Sequence, residues 1–525
     1  MIILGIGGIL GDAASAILSD GELVAAVEES KLTRRHHGGG LPEQSIAACL
    51  ALAGARAEQV DCVAIVRPVA AGPEGGFHLQ LRARFPNSRL MVVEHHAAHA
   101  ASAFYLSPFD EATVLTLDRA GDFRSGSRWH ASGTRLVLEK EIYHPDSLGE
   151  LYGRVTELLG FQSNADEHKV QWLSTGGDDR YRELFLEMLP SRNGDWLRVD
   201  RSFFNTERLT HGGFGAKLFE RLGLADGAAV PCEMRAAIAA GVQRAVEQRV
   251  IEMAGSGGNL CFAGGLGLNA LLVSALERSA QFDNVFVQPV AGNAGTALGA
   301  VLDAWHGVYG KTERAGLGNL CLGPSYRAEE IKQVLENCKL RFRYMLTTDE
   351  MVDRAVAQLN DNRIVAWMHG RMEFGPRALG NRSILASPRD PYSAENLNAY
   401  IKHRESFRKF AASVPAERAA EYFDVGPNAR FLATVGRVRE PYRQQFESAI
   451  LAGDLIRVHT VHQSDNPLYW RLLQAAGKST GLPVLYNTSF NLFGEPLVCT
   501  PRDAVRSFYS SGIDAMFVGQ FCLQK

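Results

Sequence analysis

Apolar residues recur along this chain in short blocks separated by glycine-rich or charged breaks. The first block, residues 2–6, predicts a strand ending in the turn GGILGD, and residues 13–18 and 22–28 predict two more strands joined at Asp20-Gly21. Asp-Gly between apolar runs is a hairpin signal because both residues tolerate positive φ. A helix over residues 42–52 and the strand VDCVAIV follow, and this alternation predicts an α/β domain. The theme returns with the strand ATVLTLD, the hairpin-like SGSRWHASGTRLVLEKE, and helices near residues 147–159 and 235–254.

NLCFAGGLGLNALLVSAL and VFVQPVAGNAGTALGAVLDAW each read as strand, glycine turn and helix. Backbone N–H groups at such a helix start can approach an anion closely, since glycine puts no side chain in the way. One turn of this kind more often marks a close connection; two, at the carboxyl ends of strands, favour a phosphate cradle. Residues 312–325 are punctuated by glycine and predict a linker, with a helix resuming at Ala328. From about Arg341 a second α/β domain is expected, with strands near RFRYML, RIVAWM and LPVLYN. At 525 residues the chain is too long for one ordinary core, and the predicted domains are 1–325 and 326–525.

Composition narrows the partners. Lys plus Arg number 55 against 58 Asp plus Glu, a formal charge of −3, and no run of one sign makes a nucleic-acid arm or a membrane-surface helix. No stretch is long and apolar enough to span a bilayer. The 8 cysteines are scattered without a CxxC pair, which predicts buried thiols in a reducing cytoplasm. The opening MIILGIGGILGDAASAIL lacks a basic lead and is broken by glycines and Asp12, so it reads as strand and turn rather than signal peptide.

Two regions concentrate chemistry. In EHHAAHAASAF, His95 and His99 are four apart; on a helix they share a face, and Asp118 at a strand end could join them around one cation. The competing reading is a buried helix whose histidines bond backbone, and spacing alone leaves both open; His96 points elsewhere and reads as structural. The second region comprises GRMEFGPRALGNRSILASPRD (370–390), IKHRESFRKF (401–410), Arg457 and NTSFNLFGEP (487–496). Arg371, Arg377, Arg382, Lys402, Arg404 and Arg408 are dispersed among apolar residues, unlike a solvated charge run. Guanidinium forks beside hydroxyl and amide groups suit a small phosphate-like anion. The competing reading pairs them with Glu373, Asp390 and Glu405; at least three of the cations are expected to face ligand.

DGELVAAVEES, HHAAHAASAF, DEHKV, FAGGLGLN, QPVAGNAGTALGA, GRMEFGPRALGNRSIL, IKHRESFR and NTSFNLFGEPLVCTPRDAV together resemble the nodulation-protein-U and cephem-type O-carbamoyltransferases, a family that includes antibiotic-modifying enzymes. The resemblance covers nearly the whole chain, and its last three motifs are highly specific. It implies an α/β architecture: an N-terminal actin-like (ASKHA, TsaD-like) duplicated domain, an analogy the two strand-hairpin openings share, followed by a YrdC-like domain. The implied activity is ATP-dependent transfer of the carbamoyl group of carbamoyl phosphate, through a carbamoyl-adenylate, to a hydroxyl of a small specialised metabolite, with an amine as second choice. By motif position, Arg377, Arg382, Lys402, Arg404, Arg408, Arg457, Asn487 and Ser489 would line the carbamoyl phosphate site. Glu167, Lys169, Gly264, Gly265, Asn269, Gly292, Asn293 and Gly295 would contact ATP, accompanied by Mg²⁺. His95, His99 and Asp118 would hold iron(II) or another divalent metal. Lys402 and Arg408 would serve catalysis together with His95 and His99, one of these histidines acting as general base for the acceptor. Carbamate itself repels a nucleophile, whereas the mixed anhydride carries a good leaving group.

The chain departs from the family pattern chiefly around the metal and nucleotide motifs. Asn293 stands where GDAG has its aspartate, so a neutral amide replaces an anionic ligand and metal affinity should fall. Arg119 and Asp122 alter the DG-x-GE motif, QWLS replaces MGLA, and Gly11 replaces a histidine. Lys409 and Ala412 replace two prolines, and LAGDLIR stands for HVDGTAR while keeping Arg457. These changes raise an alternative, a degenerate homologue that binds ligand or uses a different acceptor or activation chemistry, with Arg119 supplying positive charge where a cation would sit.

Overall fold

The computed structural model describes residues 1–35, 39–67, 74–190, 196–205, 207–208 and 210–525. They form two compact units, residues 1–93 with 293–525, and residues 94–292.

The first unit opens with β1 (Ile2–Gly7), β2 (Ala14–Ser19), β3 (Glu22–Glu28), β4 (Cys62–Val66) and β5 (Arg89–Val93), ordered β3-β2-β1-β4-β5. The first three form an antiparallel meander, and β4 and β5 add in parallel beside β1. Asp20 and Gly21 join β2 to β3 at φ 47° and 89°, the positive angles that a tight two-residue hairpin requires. Helix Glu43–Leu52 contributes Ile46, Cys49 and Leu50 to a core with Leu4, Ile6, Ile17 and Val27. Helix Thr296–Asp303 lies so close to β1 that a β-carbon on Gly5 would fall 2.3 Å from the Ala297 carbonyl oxygen.

The second unit repeats this plan. Its strands β6 (Glu111–Gly121), β7 (Arg124–Ser132), β8 (Arg135–Tyr143), β9 (Gly257–Ala263) and β10 (Phe282–Val287) are ordered β8-β7-β6-β9-β10. Again three antiparallel strands are followed by two parallel ones on the far side of the first. The letters of the two sheets show no repeat, yet the pairing is the same strand for strand. Helices Leu148–Leu158 and Cys232–Ala254 cover this sheet with a large apolar core.

The first unit continues with a ten-stranded mixed sheet. Its strands are β11 (Arg343–Tyr344), β12 (Val365–Met368), β13 (Arg382–Ala386), β14 (Ala411–Pro415), β15 (Phe423–Asp424), β16 (Val435–Val438), β17 (Leu455–Val461), β18 (Leu485–Ser489), β19 (Ala515–Val518) and β20 (Phe521–Gln524). The order is β11-β20-β19-β12-β13-β18-β14-β17-β16-β15, with apolar cores on both faces. Residues 311–327 have neither helix nor strand, as the glycines predict. They are nonetheless fastened: Ala26 donates to the Leu322 carbonyl at 3.2 Å, Phe374 to Leu320 at 2.7 Å and Gly323 to Met372 at 2.9 Å. Among the described residues no helix is long and apolar enough to cross a membrane.

The contact between β1 and helix Thr296–Asp303 depends on the missing side chain at Gly5. Gly5→Ala should lower the unfolding free energy by about 2–3 kcal/mol through overpacking against backbone, measurable by urea unfolding.

Candidate functional site

Helix His95–Phe104 is alanine-rich, and its small buried side chains let it lie close to the sheet of the second unit. The spacing of four puts His95 and His99 on successive turns, and β6 carries Asp118 to them. His95 Nε2 lies 2.9 Å and His99 Nε2 3.2 Å from the same oxygen, Asp118 Oδ2, and the two nitrogens are 3.1 Å apart. His99 is fully buried, while the side chains of His95 and Asp118 are each 14% exposed. Burial raises the Asp118 pKa, but the bonds from both imidazoles outweigh it and hold the carboxyl well below its usual range. Burial lowers the His99 pKa, only partly offset by Asp118. The backbone-bonding alternative describes His96 instead, whose Nδ1 meets Thr116 Oγ1 at 2.7 Å and whose Nε2 meets the Arg124 carbonyl at 2.9 Å.

Among the described residues, His95, His99 and Asp118 form the group whose ligand atoms converge, all within 4.8 Å of one another. Two imidazole nitrogens and a carboxylate oxygen suit a borderline divalent ion such as iron(II) or zinc, so these residues fit a metal. Fully buried His99 Nδ1 lacks a hydrogen-bond partner, so the outer support usual for a ligand imidazole is missing there. His99 is fully enclosed while His95 keeps some exposure, and on both rings it is Nε2 that converges on Asp118.

Two neighbours shape the site. A β-carbon on Gly121 would lie 2.1 Å from His95 Cδ2, so the ring occupies space that only glycine leaves. Asp122 Oδ2 accepts from the His95 backbone N–H at 2.9 Å, an acid placed at a helix N-terminus. Sequence reasoning noted Asp122 only as a departure and passed over Gly121; their nearness to Asp118 in a tight strand end was the available signal. Arg119 does not bring its charge to this cluster. Its guanidinium is spent on Glu150 and on Asn164 Oδ1.

The expected nucleotide residues are placed as follows. Gly264, at φ 92°, sits where a β-carbon would be 2.2 Å from the Leu117 carbonyl oxygen, and one on Gly265 would be 3.0 Å from Asp118 Oδ1. Asn269 caps helix Ala270–Arg278 by accepting from Leu272 N, and its amide donates to Gln243 Oε1 at 2.8 Å. Glu167 accepts from Asn164 N at 2.6 Å, and Lys169 pairs with Asp166 at 3.1 Å. Gly292 ends this unit, whereas Asn293 and Gly295 belong to the other, in the turn before helix Thr296–Asp303.

The ten-stranded sheet gathers the cations. Leu385, Asn487, Ala411 and Arg457 pair in one row across β13, β18, β14 and β17, which puts their side chains on one face. Lys402 Nζ, 5% exposed, donates to the Ser489 and Asn491 carbonyls at 2.5 and 2.9 Å and to Asn491 Oδ1 at 2.7 Å. Asn491, which also accepts from Ser489 Oγ at 2.7 Å, was missed although it lies in the same motif. Arg404 donates to Asn398 Oδ1 at 2.6 Å and stacks over Phe410 at 4.3 Å. Asn487 donates to the Ala378 carbonyl at 3.0 Å, beside Arg377. Burial pushes Arg377 down to about 10. Burial, then Arg408, pushes Arg404 down to about 9. Burial, followed by Arg404 and Arg408, holds Lys402 well below the lysine range. Burial, then Arg377, Arg404 and Arg408, does the same to Arg457. Arginine is ordinarily the last cation to release a proton; these directions register desolvation first and, for Lys402, Arg404 and Arg457, the neighbouring cations second.

Arg382 is fully buried and donates through Nη1 to the His369 and Asn381 carbonyls at 2.7 and 2.9 Å and through Nη2 to Pro324 and Gly370, both at 3.3 Å, so these donors clamp backbone. Arg371 likewise serves the Gly323, Val24 and Leu322 carbonyls. Glu373, considered as a salt-bridge partner, uses Oε1 to accept from the backbone of Leu379, Asn381 and Arg382 at 2.8–3.0 Å. It folds the loop that carries Arg377.

Residues 2–68 and 77–302 match the family described as Carbamoyltransferase N-terminus, and residues 356–525 match Carbamoyltransferase C-terminus. The chain therefore belongs to the carbamoyltransferase family and is a carbamoyl-transferring enzyme. It is 34% identical over 596 aligned residues to the uncharacterized protein sll1178 of Synechocystis sp., covering 100% of this chain and 96% of that one. It is 33% identical over 561 residues to nodulation protein NolNO of Sinorhizobium fredii, covering 98% and 79%. It is also 32% identical over 274 residues to 3'-hydroxymethylcephem-O-carbamoyltransferase of Amycolatopsis lactamdurans, covering 51% and 49%. The nodulation and cephem relationship expected from the motifs is the one found.

The histidine cluster makes a direct prediction. Asp118→Ala should abolish binding of one divalent ion per chain, and Gly121→Ala, by displacing the His95 ring, should weaken it at least about tenfold, the scale of a lost ligand orientation; equilibrium dialysis with iron(II) or zinc measures both.

Proposed function

We propose that this carbamoyltransferase takes carbamoyl phosphate as donor, activates its carbamoyl group with ATP as carbamoyl-adenylate, and delivers it to a hydroxyl of a small specialised metabolite. The observation that carries the reading is the gathering of Arg377, Lys402, Arg404, Arg408 and Arg457, in which burial pushes Arg377, Lys402, Arg404 and Arg457 down and neighbouring cations add to it for Lys402, Arg404 and Arg457. Arg408 pairs with Glu405 at 3.6 Å, and guanidinium and ammonium groups gathered in this way suit a phosphate dianion. Lys402 and Arg408 would stabilise charge as water adds to the carbonyl carbon of the donor and phosphate leaves, giving carbamate; a carbamate oxygen then bonds to the α-phosphorus of ATP as pyrophosphate departs. The acceptor oxygen then bonds to the carbonyl carbon and AMP departs.

The architecture that accompanies this reading is an actin-like, TsaD-like pair of subdomains followed, from about residue 326, by a YrdC-like domain. The shared strand order of the two five-stranded sheets supports the duplication. Backbone N–H groups near Gly264 and Gly265 are the proposed nucleotide contacts, since their side-chain-free turn admits a phosphate closely, with Asn269 shaping the turn as a helix cap. His95, His99 and Asp118 are the proposed metal ligands; when bound, the ion supplies a Lewis acid that offsets phosphate charge and polarises a carbonyl. A hydroxyl acceptor follows the cephem relative, whose name gives a hydroxymethyl substrate. The cytoplasm suits a chain whose 8 cysteines are all free.

Incubation with carbamoyl phosphate and ATP should release AMP and pyrophosphate in a carbamoyl-phosphate-dependent manner; ADP as the nucleotide product would overturn the reading. Lys402→Met should reduce kcat/KM for carbamoyl phosphate by about 100-fold or more, as expected for a desolvated charge-assisted contact. The bound dianion should raise the depressed Lys402 pKa, so binding takes up protons and affinity falls as pH rises through the free enzyme's Lys402 titration. Calorimetry in two buffers of different ionisation enthalpy measures that uptake.

A further inference from the structure

The motif DGELVAAVEES and the residues after it have no part in the chemistry above, yet they reach the anion-binding loops. Glu28 ends β3, and Lys31 follows in the short helix Glu29–Thr33. Their side chains form an ion pair at 2.8 Å and are 10% and 7% exposed. The pair is built around Gly375, 344 residues from Lys31. Glu28 Oε1 accepts from the Gly375 backbone N–H at 2.8 Å, while Lys31 Nζ donates to the Gly375 carbonyl at 2.7 Å and the Glu373 carbonyl at 2.9 Å. One residue of a remote loop thus has both its backbone groups held by opposite charges. Gly375 adopts φ 104°, a conformation closed to most side chains, and rigid Pro376 links it to Arg377.

The same segment touches the other loop of the cation cluster. Arg34 donates to the Pro496 carbonyl at 2.6 Å and pairs with Glu495 and Asp503, just beyond Asn491, which holds Lys402. On its far side, Arg377 is followed by Ala378, whose carbonyl accepts from Asn487. Arg377 therefore stands between two pinned points, one supplied by the sheet and one by the N-terminal segment.

We propose that Glu28 and Lys31 are positioning residues of the carbamoyl phosphate site, fixing the backbone at Gly375 so that the Arg377 guanidinium meets the donor's phosphate. This rests on the reading of Arg377 as a donor contact. An ion pair serving stability alone would need only its two charges; this one uses the carboxylate as acceptor for the N–H and the ammonium as donor to the carbonyl of the same residue, so the order of the charges matters. The donor site is accordingly incomplete without residues from the first 35 of the chain.

The test uses full-length Lys31→Met, the conservative Glu28→Gln, and the charge-swapped double variant Glu28→Lys with Lys31→Glu. In Lys31→Met, hydrogen exchange over residues 373–382 should accelerate while helix His95–Phe104 stays as protected as in wild type. KM for carbamoyl phosphate should rise about tenfold, the scale of one or two lost hydrogen bonds, with kcat and KM for ATP nearly unchanged. Glu28→Gln, which keeps an acceptor for the Gly375 N–H, should stay within about threefold of wild type by the same measure. The swapped pair should be as impaired as Lys31→Met. An unchanged KM in Lys31→Met, or recovery in the swapped pair, would overturn the proposal, as would unchanged exchange over 373–382. Failure of wild type to use carbamoyl phosphate would instead remove the donor reading and with it the role of this contact in binding, while the exchange data still decide whether the pair holds the loop.

Discussion

The desolvation and crowding of Lys402, Arg404 and Arg457 is the constraint on which the ten-stranded sheet and its loops depend. Burial first and neighbouring cations second push these groups toward losing a proton: Arg408 acts on Arg404, Arg404 and Arg408 on Lys402, and Arg377, Arg404 and Arg408 on Arg457, and such a group stays assembled only if each member is held from outside. The holding groups are mostly uncharged: backbone carbonyls and Asn491 for Lys402, Asn398 and the Phe410 face for Arg404. Carboxylates are used sparingly: Glu405 pairs with Arg408 at 3.6 Å. Glu373 turns to backbone N–H groups, and Glu28 is spent on Gly375 and Lys31. The sheet thus holds Lys402 and Arg404 largely through neutral groups, a stability cost of the kind functional sites commonly carry.

The histidine cluster works by the opposite arrangement. One carboxylate oxygen faces two imidazoles, and attraction alone keeps Asp118 ionised despite burial. The cluster is nearly complete in itself, and a divalent ion would replace protons at sites already converging. What the surroundings provide is room, through Gly121, and orientation, through the Asp122 contact with the start of the histidine helix.

Much of this was legible in the letters because it is local. The Asp20-Gly21 hairpin, the strand at 22–28 and the helix at 43–52 follow from turn chemistry and periodicity, and they lie where they were expected. His95, His99 and Asp118 converge because a spacing of four on a helix and the end of a strand are both readable. The allegiance of each arginine was not readable. Arg377 and Arg382 lie in one motif and look alike in sequence, but Arg382 finds carbonyls from residues 324, 369, 370 and 381 around it, and only the folded chain decides which carbonyls those are. For the same reason the glycine-rich segment read as a linker is in fact bonded to β3 and to residues 372–374, and Glu373 folds a loop instead of pairing with a guanidinium.

The central claim, that this positive charge is kept for a phosphate-bearing donor at the expense of the free protein, is tested most directly by the unfolding free energy of Arg404→Met with and without carbamoyl phosphate. Without ligand the variant should be at least as stable as wild type to within about 1 kcal/mol, because relief of repulsion offsets the lost Asn398 contact. At 100 times Kd the ligand should stabilise wild type by about 2.7 kcal/mol and the variant by little. A variant that loses several kcal/mol without ligand, or gains as much from carbamoyl phosphate as wild type does, would contradict the account.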